Sequence, residues 1–207
     1  ARDMGLEDVS EGHRRGADKI ADFLGWCDEA GVGVVTIFML STDNLSRAEP
    51  ELVPLLRIIE DVVADLSAVD RRWHLRAMGA LELLPAETVA VLKQAEELTR
   101  DRSGATVNLA VGYGGRREIA DAVRSLLAEH AERGTPLDEL VELLDVEHIA
   151  EHLYTRGQPD PDLIIRTSGE QRLSGFLLWQ TAHSEFYFTD VYWPDFRRVD
   201  FLRALRD

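Results

Sequence analysis

The chain has 207 residues, 45% of them hydrophobic, which suits one α/β domain with a substantial core. It carries 23 Lys and Arg against 38 Asp and Glu, and this formal charge of -15 argues against a surface for nucleic acid or anionic membrane. Cys27 is the only cysteine, which excludes an intrachain disulfide and fits the reducing cytoplasm. No apolar run reaches about 18 residues, so we expect a soluble protein.

Hydrophobic spacing predicts alternating helices and strands. The residues from Glu51 to Ala68 place their leucines, isoleucines and valines on one helical face, whereas Val32 to Leu40 form a continuous β-branched run typical of a buried strand. In chain order we predict a helix over 11–30, a strand over 32–40, a helix over 51–68, a strand over 73–79, a helix from Pro85, a strand over 105–113, a helix after Gly115, short helices within 136–153, strands over 162–166 and from Ser184, and a helix from Arg197. This alternation predicts a single domain over 1–207 with a mainly parallel sheet and helices on both faces.

Polar segments follow several of the predicted strands. In parallel sheets, ligands bind beyond the carboxyl ends of the strands, where loops and helix N-termini present free N–H groups. The segments are FMLSTDNLSR, GYGGRRE, RTSGEQRLSG and SEFYFTD. They form the candidate site.

The segment IIRTSGEQRLSG has the highest concentration of candidate anion-binding side chains. A strand ends directly in Arg166, and a glycine-containing loop leads on to Arg172 and Ser174. Two guanidinium forks and a hydroxyl can enclose a diphosphate through charge-assisted hydrogen bonds. The alternative is a surface loop whose arginines pair with Glu170 and other acids, and the spacing alone does not decide between them.

The chain resembles the cis-prenyltransferases, the undecaprenyl diphosphate synthase family. The similarity is dense across DLIIRTSGEQRLSGFLLWQTAHSEFYFTDVYWPDF, and EGHRRGADKI, FMLSTDNLSR and GYGGRREI resemble further family segments in the same order. The resemblance implies a parallel-sheet homodimer with a hydrophobic tunnel between sheet and helices, and a Mg²⁺ cofactor. It also implies isopentenyl diphosphate and an allylic diphosphate as substrates. The expected location is the cytoplasm, and the resemblance is compatible with peripheral association with a membrane.

The same resemblance assigns roles to individual residues. Arg166, Arg172 and Ser174 would hold the diphosphate of isopentenyl diphosphate, and Glu185 would help to place the metal, in its own or in the neighbouring subunit's site. Asn44 occupies the position associated with proton removal, but a neutral amide is a poor base, so we expect it to orient the isopentenyl group or to relay the proton to diphosphate. The remaining substrate-binding candidates are His13, Ser41, Thr42, Asp43, Leu45, Arg47 and Leu173.

Each of these residues also has a purely structural interpretation. Glu185 could be a solvated carboxylate at a strand end, and one carboxylate is a weak magnesium signal. Ser41, Thr42 and Asn44 could form a turn or cap the next helix, Arg47 could be a solvated charge, and His13 could be an ordinary first-turn histidine. Gly114, Gly115 and Arg116 are expected to serve the strand-to-helix turn and receive no catalytic role.

The sequence also departs from the family pattern. The motif His-x4-Met-Asp-Gly-Asn-x-Arg-Trp-Ala, with its metal-binding Asp and phosphate-binding Arg, is absent, and Ala1 looks like its last residue. We therefore expect a preceding segment that holds the first strand and this motif. Further departures are the lack of an arginine between Gly5 and Gly12, Leu45 in place of an aromatic residue, and Gly175 where Asn is frequent.

Product length is expected to follow tunnel volume. Met39 and Leu40 lie on the strand that lines the tunnel, where longer-chain relatives usually have a small residue and an aromatic one. This predicts a short-chain enzyme like the actinobacterial members that make (2Z,6E)-farnesyl diphosphate from geranyl diphosphate. The alternatives are a long-chain C50–C55 synthase, a non-catalytic partner subunit of the same fold, and a nucleotide-binding domain, which the lack of GxGxxG and GxxxxGK[ST] motifs disfavours.

Overall fold

The computed structural model describes residues 9–207, with side chains from Arg15 onward. The helices are α1 (Val9–Glu29), α2 (Glu49–Leu66), α3 (Ala86–Thr99), α4 (Gly115–Arg133), α5 (Leu137–Leu143), α6 (Val146–Ala150) and α7 (Arg198–Arg206). The strands are β1 (Val34–Ser41), β2 (His74–Met78), β3 (Thr106–Tyr113), β4 (Leu163–Arg166) and β5 (Glu185–Phe188). Every predicted element is confirmed, because strong apolar periodicity and glycine or proline punctuation mark each one.

The strands form two parallel sheets. β3 lies between β1 and β2 in the first sheet, and β4 pairs with β5 in the second. The predicted α/β class with parallel strands is confirmed, but the strands are divided between two sheets. Among the described residues no strand joins β1 to β4, and both strands line the same cavity.

The larger core lies between the first sheet and helices α1, α2, α3 and α7. Val63, Leu66 and Leu92 are almost fully buried there, against Val107 and Leu109 of β3. On the opposite face of the sheet, a smaller core joins β1 and β3 to the segment 154–177. The sheet is thus covered on both faces, and its strands end at the edge where the polar segments lie.

A bulge interrupts β1 close to its carboxyl end. Phe38 pairs with Ala110 and Leu40 pairs with Val111, so Met39 is the extra residue. A bulge locally re-aims the side chains around it. Met39 and Leu40 consequently both pack with the larger core, whereas Phe38 faces the smaller one.

No helix in the described part of the chain is long and apolar enough to cross a membrane.

Candidate active site

A cavity of about 910 Å³ lies between β1, β4 and helices α1 and α2. One wall is apolar and includes Ile20, Phe23, Met39, Leu55 and Ile59. The strand-end residues Arg166, Thr167 and Ser168 supply polar groups to the same cavity. A mainly apolar space with an arginine and hydroxyl groups in its wall suits an amphiphilic ligand that has an anionic head.

Arg166 is the last residue of β4 and lines this cavity. Its Nη2 donates to the Glu170 carboxylate, but its Nε is buried without a hydrogen-bond partner among the described residues. A buried donor with no acceptor is destabilising unless a ligand or water satisfies it. Arg166 therefore brings a guanidinium group with one unused donor to the wall of the cavity.

Glu170 bridges the two arginines of the loop. Its Oε2 pairs with Arg166, and its Oε1 lies 3.0 Å from Nη2 of Arg172. The hydrogen bond from Arg166 lowers the pKa of the Glu170 carboxyl below its usual range. The pairing expected for a surface loop is therefore present, yet it also holds the two guanidinium groups close together.

The turn after Arg172 has an unusual backbone. Ser174 and Leu177 have φ values of 51° and 44°, and Gly175 lies between them at 80°. Glycine and asparagine adopt this left-handed region more readily than other residues, so Gly175 can replace the Asn frequent in the family. Leu173 lines the cavity, and Phe176 stacks on Phe38 at 4.9 Å between ring centroids.

The polar turn after β1 is a short 3-10 helix, Thr42–Ser46. Ser41 caps it, since the Ser41 Oγ accepts from the Asn44 backbone N at 3.2 Å, as the structural interpretation expected. Arg47 Nε donates to Asn44 Oδ1 at 3.0 Å. Asn44 is not among the residues that line the cavity, and with its oxygen engaged its side-chain amide has only N–H donors free.

The other candidates of this turn make structural contacts. The Thr42 side chain lies against Gly114, and Leu45 packs against the larger core next to Gly112. Asp43 is exposed, and its backbone carbonyl accepts from Ser46 Oγ at 2.7 Å. The turn begins beyond Met39, the last residue of β1 that lines the cavity. These contacts explain the local sequence without a ligand.

Met39 lines the cavity, whereas Leu40, which is 1% exposed, belongs to the core behind it. The strand that carries both residues lines the cavity, but only Met39 of the two contributes to its wall. The bulge at Met39 is the physical reason, because it changes the alternation of side chains along β1.

Glu185 lies at the opposite end of the second sheet from Arg166. It starts β5 and pairs with Leu163, whereas Arg166 pairs with Phe188. Three residues of a strand separate the two positions by roughly 10 Å. Within one chain, the backbone positions of Glu185 and Arg166 are therefore separated by the length of the sheet, so the prediction that Glu185 serves its own or the neighbouring subunit's site stays a prediction.

The described residues hold no group of three or more His, Cys, Asp or Glu side chains arranged for a metal ion. Glu185 is exposed and supplies one carboxylate, whereas Mg²⁺ takes several oxygen ligands in near-octahedral geometry. These residues do not make a magnesium centre by themselves. His13 lies in the helical backbone of α1, but its side chain lies outside the described residues.

Sequence reasoning missed a buried polar group next to residues 166–174, the arginine loop, which carries Arg166 and Arg172. Tyr113 ends β3, and Glu118, on the inner face of α4, accepts a hydrogen bond from its hydroxyl. Both side chains are at most 1% exposed. The signal was the spacing of Glu118 with the buried residues Ala122 and Leu126, which places a carboxylate on an apolar helical face.

The chain matches a family model described as "Putative undecaprenyl diphosphate synthase" over residues 1–207. A (2Z,6E)-farnesyl diphosphate synthase of Thermobifida fusca is 65% identical over 206 residues, covering 100% of this chain and 80% of the relative. A short-chain Z-isoprenyl diphosphate synthase of Mycobacterium leprae is 58% identical, covering 100% of this chain and 79% of the relative. Lavandulyl diphosphate synthase of Lavandula x intermedia, solved with dimethylallyl diphosphate, superposes with a TM-score of 0.89 at 35% identity, covering 100% of this chain and 88% of that one.

Proposed function

Because this chain belongs to the undecaprenyl diphosphate synthase family and is a prenyltransferase, we propose that it condenses isopentenyl diphosphate with geranyl diphosphate to give (2Z,6E)-farnesyl diphosphate. The observation that carries this proposal is the guanidinium group of Arg166 at the wall of a mainly apolar cavity. The diphosphate binds at the cationic end and the hydrocarbon chain lies along the apolar wall.

The chemistry joins the two substrates through one new carbon–carbon bond. The double-bond electrons of isopentenyl diphosphate attack C1 of the allylic substrate, and the C1–O bond breaks so that diphosphate leaves with the electron pair. Loss of a proton then leaves a cis double bond. Arg166 and Arg172 hold the isopentenyl diphosphate, which brings the reacting carbons together and lowers the entropic part of the barrier.

Asn44 orients a diphosphate oxygen with its N–H donors, because its own oxygen is engaged by Arg47. The proton then goes to a diphosphate oxygen rather than to the amide. Ser41 and Arg47 support this role by fixing the turn and the amide.

Magnesium is the proposed cofactor, and bound to phosphate oxygens it supplies charge neutralisation for the leaving group. Glu185 would help to hold the metal, and because it lies at the opposite end of the second sheet from Arg166, we assign this carboxylate to the active site of a second subunit. The proposed location is the cytoplasm, and peripheral contact with a membrane fits an isoprenoid product.

A homodimer through β5 supports the assignment of Glu185. β5 pairs only with β4 among the described strands, and it presents Phe186 and Phe188, which stack on each other and are 42% and 39% exposed. Exposed aromatic side chains beside an unpaired strand edge suit an isologous contact. Sedimentation of Phe186→Ser/Phe188→Ser should show monomers, and an unchanged dimer would contradict this interface.

Mixing two inactive variants tests whether Glu185 acts across the dimer. Arg166→Ala and Glu185→Ala are each expected to lose activity, but a mixed dimer has one site with both native residues if Glu185 serves its neighbour. Recovery of about a quarter of the native activity after co-refolding supports that arrangement. No recovery, with mixed dimers verified by mass, places Glu185 in its own subunit's site.

The direct test of the proposed function is turnover by the full-length protein. Purified protein is assayed with Mg²⁺, radiolabelled isopentenyl diphosphate and dimethylallyl, geranyl or farnesyl diphosphate, and products are separated by chain length. A C15 product from geranyl diphosphate is expected. A C50–C55 product supports a long-chain synthase instead, and no turnover with any primer supports a non-catalytic subunit.

A further inference from the structure

A buried cluster of polar side chains lies behind the arginine loop, formed by Tyr113, Glu118 and Gln180. The Glu118 carboxylate accepts from the Tyr113 hydroxyl, from Gln180 Nε2 at 3.0 Å and from the Tyr154 backbone N at 2.9 Å. All three partners are donors, so they match an ionised carboxylate. Burial nevertheless raises the pKa of Glu118, and these three hydrogen bonds only oppose that effect.

A buried carboxylate is a costly way to hold a helix against a loop. Glu118 and Gln180 are 1% and 2% exposed, and apolar side chains of similar volume would fill the same space without desolvating a charge. Hydrogen bonds, unlike apolar contacts, fix direction and distance. The cluster therefore specifies where its neighbours lie more sharply than packing would.

The cluster holds the backbone that follows Arg172. The Tyr113 hydroxyl accepts from the Leu177 backbone N at 3.2 Å. Leu177 has a φ of 44°, a conformation that is costly for a leucine and needs such a support.

A second bond ties the same turn to α4, where the Gly115 backbone N donates to the Gly175 carbonyl at 2.8 Å. A Cβ at Gly115 would lie 2.5 Å from that carbonyl oxygen, so only glycine permits the approach.

The start of the arginine loop has its own attachment. The backbone N atoms of Ser168 and Gly169 each donate at 2.9 Å to the carbonyls of Val191 and Thr189. Arg172 lies between this attachment and the Tyr113 bond, and its side chain is 69% exposed. The position of its guanidinium therefore depends on the backbone at both ends of the loop.

We infer that Tyr113 and Glu118 are positioning residues for isopentenyl diphosphate, acting by holding the turn that carries Arg172 and Ser174. This inference rests on the proposed function. Neither residue lines the cavity, and neither is expected to touch substrate.

The test separates binding of the two substrates. Two variants are made in the full-length protein: Tyr113→Phe removes the hydroxyl that accepts from the Leu177 N–H, and Glu118→Gln replaces one acceptor oxygen of the cluster by an NH2 donor that mismatches its three donor partners. Each is expected to raise the KM for isopentenyl diphosphate about tenfold, the effect of one displaced hydrogen bond, and to leave the KM for the allylic substrate within about twofold. The double variant should be scarcely worse than either single variant, because both remove the same support.

Thr88→Val is the matched control for lost stability. Thr88 is also 1% exposed, and its hydroxyl donates at 2.6 Å to Glu60, which joins α3 to α2 away from the loop. It should lower the melting temperature without changing either KM. The inference is overturned if Tyr113→Phe and Glu118→Gln lower the melting temperature like Thr88→Val yet leave the KM for isopentenyl diphosphate unchanged. Failure of the proposed function would appear differently, as no turnover by the unmodified protein.

Discussion

Arg166→Lys tests whether the guanidinium group of Arg166 contacts substrate. Lysine keeps the positive charge but loses Nε and the planar fork, so any change reports the geometry of the donors rather than the charge. The hydroxyls and apolar wall of the cavity stay in place. The replacement therefore tests the donor geometry of one residue of the proposed diphosphate site.

The size of the effect follows from the surroundings of the side chain. A hydrogen bond to a charged group contributes about 1.5 to 3 kcal/mol, and about 1.4 kcal/mol changes a binding constant tenfold. The Arg166 side chain is 29% exposed, so water weakens the bond and the lower part of that range applies. We expect the KM for isopentenyl diphosphate to rise about 10- to 30-fold.

Steady-state kinetics at saturating allylic substrate measure this change, with Arg133→Lys as the matched control. Arg133 is 62% exposed and pairs with Glu129 on α4, outside the proposed site, so its replacement should leave the KM within about twofold. Thermal melting should show both variants within about 1 kcal/mol of the native protein, since exposed ion pairs contribute little. A KM for Arg166→Lys within twofold of the native value would refute contact between the Arg166 guanidinium group and the substrate.

Three further predictions concern product length, pH and thiol reactivity. Met39→Ala enlarges the cavity and should shift part of the product beyond C15 in chromatography, whereas Leu40→Ala, in the core behind it, should destabilise the protein by about 2–5 kcal/mol without longer products. Burial raises the pKa of Glu118 above 4.5, so the folded protein binds more protons than the unfolded chain and loses stability as pH rises above that value. Chemical denaturation across pH 4–8 should therefore show native stability falling relative to Glu118→Gln, and a constant difference would contradict a raised pKa. Burial raises the pKa of Cys27 to about 12, so a thiol reagent at pH 8 should modify it only after unfolding, and rapid native labelling would contradict this.

Local signals in the sequence were sufficient for the elements and for part of the site. Apolar periodicity predicted every helix and strand, and the strand-end position of Arg166 predicted its place at the cavity. Helices, strands and strand ends are marked by residues that lie a few positions apart, so a single sequence is enough to predict them. The resemblance to the cis-prenyltransferase family then predicted the reaction and its substrates.

Contacts between distant parts of the chain decided the rest. The bulge that puts Met39 rather than Leu40 at the cavity wall depends on the pairing of β1 with β3, and the separation of Glu185 from Arg166 depends on the register of β4 with β5.

The partnership of Tyr113 with Leu177 joins residues 64 positions apart. No periodicity encodes which backbone N–H a buried hydroxyl will meet, since that follows from how the loops pack after the sheet has formed. The sequence by itself thus determined the elements and the chemistry at the strand ends. The tertiary structure decided which of those groups share one cavity and what holds them there.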